Sequence, residues 1–133
     1  MKIRWNSTSV RLRITPDELE SLQRGEGVSE TLEFGNGYWE ASLSAGDSST
    51  SFWIERMIVQ IHLSASDLDR LAAPENEGVY FVTGGPPEAP HPIRYFIEKD
   101  FPCAHPRAGE SQEPAGETFA PTAAFEERKK RHD

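Results

Sequence analysis

The chain has 133 residues, one cysteine and a formal net charge of −8, from 14 Lys and Arg against 22 Asp and Glu. This length is typical of one domain with a real core, and a lone cysteine excludes an intramolecular disulfide. The acidic balance argues against nonspecific binding to nucleic acid or to an anionic membrane. No apolar run resembles a signal peptide or a membrane span, so we expect a soluble, cytoplasmic protein.

Two parts of the chain match each other without a gap, residues 10–22 and residues 59–71. Their apolar positions coincide throughout, beginning with Val10 and Val59. Alternating apolar and polar residues predict strands on both sides of a short helix in each half. Each half therefore reads strand, strand, helix, strand, strand, which indicates an internal duplication of a ββαββ unit.

The two predicted helices begin with related capping residues. Thr15 is followed three positions later by Glu18, and Pro16 occupies the favoured first helical position, so a capping box is expected. Ser64 and Asp67 have the same spacing in the second half. Because Asp is shorter than Glu, this second box is expected to be looser.

The fold expected from these patterns is a single α+β domain over residues 1–103, with one repeat at about 1–46 and the other at about 50–100. Eight antiparallel strands and two short helices would form a pseudo-two-fold barrel or a sandwich, and the sequence leaves both open. Residues 104–133 are rich in Pro, Gly, Glu, Ser and Ala, so we expect a flexible tail there. Its 122–131 portion is compatible with a short helix.

Basic residues alternate with core residues on the first predicted hairpin and are expected to share its outer face: Lys2, Arg4, Arg11 and Arg13. Such a face could bind phosphate or carboxylate, because arginine makes bidentate contacts with both groups. We therefore take Arg4, Arg11 and Arg13 as candidate ligand-binding residues. The alternative is that carboxylates on neighbouring strands pair with them across the sheet, namely Glu30, Glu33 or Glu40.

The tryptophans divide between the two faces of the predicted strands. Trp5 and Trp39 fall in step with core positions, whereas Trp53 lies between Phe52 and Ile54 and is expected on the outer face. An exposed Trp can mark an interface or a stacking site, so Trp53 joins the candidate ligand-binding residues. Covering by a helix or by the tail is the alternative.

A second candidate site combines His91, Cys103 and His105, which offer ligands suited to zinc. Cys103 and His105 could instead act as a nucleophile and its base. The alternative is a lone thiol with two surface imidazoles, since the spacing matches no established zinc pattern. We find no phosphate-binding loop, nucleophile elbow or zinc-protease motif, so no catalytic residue and no cofactor are predicted.

Three parts of the chain resemble a family of small bacterial proteins that carry a domain of unknown function: Met1 to Arg4, the Asn6-Ser7 turn with the strand at 10–14, and Ile97 to Cys103. The resemblance covers about residues 1–106, and its most specific part is Glu98-Lys-Asp-Phe-x-Cys103. It implies a bacterial cytoplasmic origin and no particular activity.

The leading functional hypothesis is a non-enzymatic binding or regulatory module that uses a sheet face or the groove between the repeats. Its partner would be an unknown protein or a small anionic ligand, and neither a nucleic acid nor a membrane. One alternative is a small metal- or thiol-dependent protein centred on Cys103 and His105. Another is a structural homodimer, and the sequence leaves monomer and homodimer both open.

Overall fold

The computed structural model describes residues 1–83, 91–102 and 118–132. These residues form eight strands: β1 (Lys2–Trp5), β2 (Ser9–Ile14), β3 (Val28–Phe34), β4 (Gly37–Gly46), β5 (Ser51–Glu55), β6 (Ile58–Ser64), β7 (Gly78–Val82) and β8 (Arg94–Lys99). They also form three helices: α1 (Pro16–Gln23), α2 (Ala65–Ala72) and α3 (Ala123–His132). The expected mixture of helices and strands is confirmed, with one helix more than the two expected for the domain.

The strands form two four-stranded sheets, with the strand orders β1-β2-β8-β7 and β3-β4-β6-β5. Strands that follow one another in each hairpin pair antiparallel. The two central pairs, β2 with β8 and β4 with β6, are parallel. The prediction of a wholly antiparallel arrangement is therefore wrong. Local alternation identifies a strand but carries no information about the direction of a partner that is distant in the sequence.

Neither sheet closes on itself, so the described residues do not form a closed barrel. The second sheet has the same connectivity as the first, with β5, β6, β4 and β3 in the places of β1, β2, β8 and β7. Helix α1 follows β2 and leads into the second sheet, and α2 follows β6 and leads back into the first.

One cluster of buried apolar side chains draws on both sheets and on helices α1 and α2, including Leu12, Leu22, Leu43, Ile61, Leu71 and Ile97. Phe52 of β5 stacks on Tyr95 of β8 with ring centroids 5.1 Å apart, so the inner faces of the two sheets meet. Trp39 is partly buried against this core, as expected. Trp5 instead stacks on Trp39 at the rim and is 68% exposed. No helix in the described parts of the chain is long and apolar enough to span a membrane.

The predicted caps are present, and the second one contains an additional residue. At α1, Thr15 and Glu18 exchange both hydrogen bonds of a capping box. At α2, the Ser64 N–H donates to Thr50 Oγ1 at 2.8 Å, and the Thr50 hydroxyl in turn donates to Asp67 Oδ2. Thr50 therefore bridges the gap that the shorter Asp67 side chain leaves in the box.

Residues 118–132, which belong to the predicted tail, contact the domain. The Phe119 N–H donates to the Asp100 carbonyl oxygen at 2.8 Å, and its ring lies 6.1 Å from that of Phe101. Helix α3 includes Arg128, whose guanidinium pairs with the carboxylate of Glu77. The helix compatible with 122–131 is thus present, while the domain boundary at residue 103 and the repeat limits stay predictions.

Candidate functional site

The outer face of the first sheet collects basic side chains from three strands. Register places Lys2 opposite Arg13 and Arg4 opposite Arg11. Strand β8 then adds Arg94, Phe96 and Glu98 beside Ser9, Arg11 and Arg13, respectively. Side chains two residues apart on a strand share a face, so all of these point away from the core.

A cavity of about 280 Å³ opens on this face, and we call it the arginine cavity. Its described lining consists of Arg4, Trp5, Asn6, Ser9, Arg11, Arg94 and Phe96. No acidic residue is among them. The site is therefore a concave surface whose charged groups, within the described part of the chain, are all guanidinium groups.

The carboxylate of Glu98 lies beside the cavity, and two arginines share it. Arg11 Nε lies 3.3 Å from Glu98 Oε1, and Arg13 Nε lies 3.7 Å from Glu98 Oε2. Arg11 Nε is buried and has no hydrogen-bond acceptor among the described residues, so this ion pair is poorly aligned. Arg4 and Arg94 make no ion pair within residues 1–83, 91–102 and 118–132.

The polar residues of the β1–β2 turn are oriented by their own hydrogen bonds. Asn6 Oδ1 accepts from the Thr8 N–H at 2.9 Å, from the Thr8 hydroxyl at 3.1 Å and from the Ser9 hydroxyl at 3.1 Å. The side-chain oxygen of Asn6 and the hydroxyl proton of Ser9 are therefore engaged within the turn. The Asn6 amide group remains a donor beside the arginines.

Phe96 and Trp5 provide the apolar part of the site. The Arg11 guanidinium carbon lies 5.3 Å from the centroid of the Phe96 ring, within the range of a cation–π contact. Tyr80 of β7 packs against the same ring, with centroids 5.5 Å apart. Burial raises the pKa of Tyr80, and the carboxylates of Glu98 and Glu77 raise it further. Arg11 and Arg128 act in the opposite direction on the pKa of Tyr80, with smaller effects.

The structure brings together only some of the predicted ligand-binding residues. Arg4 and Arg11 line the cavity, whereas Arg13 lies two residues beyond Arg11 on β2 and is not part of the lining. Trp53, which is 40% exposed, belongs to β5 of the second sheet and pairs with Gln60, so it does not contribute to this site.

The carboxylates expected to neutralise the arginines lie elsewhere. Glu30 and Glu33 are in β3 and Glu40 is in β4, all on the second sheet. The partner of Arg11 and Arg13 is Glu98 instead. That expectation was wrong because it assumed that the strands next in sequence would also be next in space.

Sequence reasoning missed Arg94 and Phe96, which reach the cavity through the parallel pairing of β8 with β2. A feature that could have pointed to them is the alternation in β8, which puts both residues on the outer face opposite buried Tyr95 and Ile97. Alternation does not say which strand lies beside β8, so their distance from Arg11 was not predictable.

The second candidate site falls largely outside the described residues. Cys103 and His105 lie in the part of the chain that the structure does not describe, and His91 is exposed. Among the residues that are described, no three His, Cys, Asp or Glu side chains could hold a metal ion together. The metal and thiol hypotheses for these three residues stay predictions.

A serine–histidine contact lies on the outer face of the second sheet. Ser44 Oγ is 2.9 Å from His62 Nδ1, while His62 Nε2 is buried and has no hydrogen-bond partner in the described part of the chain. An activated nucleophile needs a base that a third group orients. Among residues 1–83, 91–102 and 118–132, no group orients His62 in this way.

The fold and the site define an α+β protein with two mixed four-stranded sheets and a cationic cavity on one outer face. The chain belongs to a family of unknown function, DUF7009, whose model matches residues 1–117. No curated protein and no solved structure gives a significant match. The arginine cavity, formed by residues that all lie within the matched range, is therefore the basis for a functional proposal.

Proposed function

We propose that this protein is a small, non-enzymatic binding module whose arginine cavity holds the anionic group of a ligand. The observation that supports this is the lining of the cavity, in which Arg4, Arg11 and Arg94 occur without an acidic residue among the described neighbours. The whole chain carries a formal charge of −8. The cluster of arginines in the cavity therefore has the opposite sign to the net charge of the chain.

The strand register places like charges together at an energetic cost. Arg4 lies directly opposite Arg11, and like charges in opposite positions destabilise a sheet. An anion between the guanidinium groups would remove this repulsion and form charge-assisted hydrogen bonds with them. Binding therefore offsets an electrostatic cost that the free protein carries.

The two halves of the domain are, in our proposal, duplicated ββαββ units that have diverged in function. The matching strand connectivity of the two sheets and the related caps at Thr15 and Ser64 support the duplication. In the second half, Gln60 and His62 occupy the positions of Arg11 and Arg13. The anion-binding face is then confined to the first sheet.

We place the module in the bacterial cytoplasm, with a small anionic ligand or an anionic group of a protein as its partner. The family match over residues 1–117 is compatible with this location and does not assign it. The free protein is either a monomer or a homodimer. Its mass in solution distinguishes the two states.

Calorimetric titration of the full chain with citrate and with sulfate at low salt tests the proposal. We expect saturable binding that weakens as sodium chloride is added, because the contacts are electrostatic. Arg94→Gln should weaken binding by about tenfold or more, the effect of losing a charge-assisted hydrogen bond. Arg24→Gln is the matched control, since Arg24 interacts with Glu20 and Glu26 at the end of α1.

Two results would argue against the proposal. One is the absence of saturable anion binding in the native protein. The other is an equal loss of affinity in Arg94→Gln and Arg24→Gln, which would mean that the overall charge of the chain, and not the cavity, determines binding.

A further inference from the structure

We infer that the arginine cavity is specific for the dianion of a phosphate monoester on a small organic molecule. This inference rests on the proposed function and adds the chemical class of the ligand. Three features of the cavity support it: the hydrogen-bonding character of its lining, the number of uncompensated charges and its size.

Most of the polar side-chain groups that the lining offers to a ligand are hydrogen-bond donors; the exception is the Ser9 hydroxyl, whose proton is donated to Asn6 Oδ1. The guanidinium groups of Arg4, Arg11 and Arg94 have donors and no acceptor. The Asn6 carbonyl oxygen already accepts three hydrogen bonds within the turn, so its amide N–H groups are what remains. A ligand must then supply acceptors in several directions, as the three terminal oxygens of a phosphoryl group do.

The charge count favours a dianion over a monoanion. Arg11 and Arg13 share the single carboxylate of Glu98, and Arg4 and Arg94 have no ion-pair partner in the described part of the chain. Lys2 on the same face pairs with Asp100, at 2.8 Å between Nζ and Oδ2, so four arginines and one glutamate leave three positive charges there. A phosphate monoester carries about −1.5 to −2 at pH 7, whereas a sulfonate or a carboxylate carries one charge.

The cavity is larger than a phosphoryl group needs. Its volume of about 280 Å³ is close to the lower end of the ~300–1,000 Å³ typical of small-molecule sites. Phe96 supplies an apolar surface within it, beside the Arg11 guanidinium. An organic substituent can pack on this ring while the phosphoryl group contacts the arginines. The acidic chain as a whole disfavours a large anionic partner.

Calorimetric titration of the full chain with phenyl phosphate and benzenesulfonate, at two pH values, tests the inference. The second pKa of a phosphate ester is about 6, so its dianion forms between about pH 5 and pH 8. We expect the affinity for phenyl phosphate to rise by about tenfold over this range, while the arginines stay charged. Benzenesulfonate has the same ring and a constant charge, so its affinity should stay weaker and nearly unchanged.

The sulfonate also controls for the protein's own groups on this face, which are Lys2 of β1, Arg13 of β2, Tyr80 of β7 and Glu98 of β8. A change in their ionisation would also change the affinity for benzenesulfonate, whose own charge is constant. Arg94→Gln should remove most of the preference for phenyl phosphate over benzenesulfonate, and Arg24→Gln should retain it.

Each of the other possible binding results would overturn a different part of the inference. Equal affinity for phenyl phosphate and benzenesulfonate at both pH values would overturn the dianion inference and leave the anion site intact. Inorganic phosphate binding as tightly as phenyl phosphate would overturn the part that concerns an organic substituent. Tighter binding of a phosphoserine peptide would overturn the small-molecule source. No binding of any of these anions would overturn the proposed function as well.

Discussion

At the scale of single residues, the arginine cavity places binding and stability in opposition. Arg4 faces Arg11 across the β1–β2 pair, and Arg94 lines the same cavity without an ion-pair partner in the described chain. Charges that attract a ligand repel each other when the ligand is absent. The free protein is therefore expected to carry an electrostatic cost at this face.

Arg4→Gln should increase the free energy of unfolding of the free protein by about 0.2–1 kcal/mol at low salt, because it removes a like-charge contact. The gain should shrink when salt screens the charges. Urea unfolding at low and high salt measures both effects. Arg24→Gln removes one positive charge outside the cavity and should not stabilise the protein. A loss of stability in Arg4→Gln would show that Arg4 makes a favourable contact in the native state.

Asp67 provides the second prediction at this scale, through its dependence on pH. Burial by itself would raise the pKa of Asp67, but hydrogen bonds from Thr50, Ser64 and Arg70 outweigh it and hold the pKa below its ordinary value. A carboxyl group with a lower pKa in the folded state stabilises the fold where it is ionised. Its contribution is present above about pH 4 and is lost as the pH falls through the folded-state pKa.

Asp67→Asn should therefore lower the free energy of unfolding at neutral pH. The difference in this free energy between the native protein and the variant should be smaller in acid. Urea unfolding at about pH 7 and about pH 3 provides the comparison. Asp69 has an exposed carboxylate on the same helix, so Asp69→Asn is the matched control. A constant difference between the native protein and Asp67→Asn at both pH values would contradict the role of the Asp67 charge.

At the scale of elements, the β5–β6 turn is strained. Arg56 and Met57 have φ values of 50° and 69°, in the left-handed region where side chains clash with the backbone. The β3–β4 turn has glycine at its left-handed position, Gly35, with a φ of 49°. Two-residue hairpin turns with both central φ values positive strongly favour Asn-Gly, so Arg56 and Met57 are unusual occupants.

Met57→Gly should raise the free energy of unfolding by about 0.5–1 kcal/mol, since relief of strain exceeds the added entropy of the unfolded chain. Met57→Ala removes most of the side chain but keeps a Cβ at a positive φ, so it should bring no such gain. Thermal and urea unfolding of the two variants separate strain from side-chain contacts. If Met57→Gly is no more stable than Met57→Ala, the turn is not strained in solution.

The elements themselves were largely predictable from the sequence, because their determinants are local. Alternation located the eight strands, and the spacing of Thr15 and Glu18 located the start of α1. Thr50 was not predictable as part of the second cap. It lies outside the Ser64–Asp67 motif and reaches it only because β5 pairs with β6.

At the scale of the whole molecule, the candidate site depends on an interaction that the local sequence does not encode. Arg4 and Arg11 could be assigned to one face because they belong to one hairpin. Arg94 and Phe96 join them only through the parallel pairing of β8 with β2, across more than half of the chain. The sequence pattern therefore indicates part of the cavity, but it predicts the counter-charges on the wrong sheet.

The contact between the C-terminal segment and the domain is a second property at this scale. Phe119 packs against the core, and Lys99 Nζ lies 5.7 Å from the centroid of its ring. Phe119→Ala should lower the free energy of unfolding by about 1–2 kcal/mol, less than for a fully buried Phe. Urea unfolding of the full chain measures the loss. An unchanged free energy of unfolding would mean that residues 118–132 do not pack against the domain in solution.

An NMR titration of the full chain with phenyl phosphate shows at which residues an anion binds. We predict that the largest shifts fall on the arginine Nε–H groups of Arg4, Arg11 and Arg94 and on the backbone amides of Asn6 and Ser9. The second-sheet residues Trp53 and Gln60 should stay unchanged. Shifts centred on the second sheet, or none at saturating ligand, would show that the arginine cavity does not bind the anion.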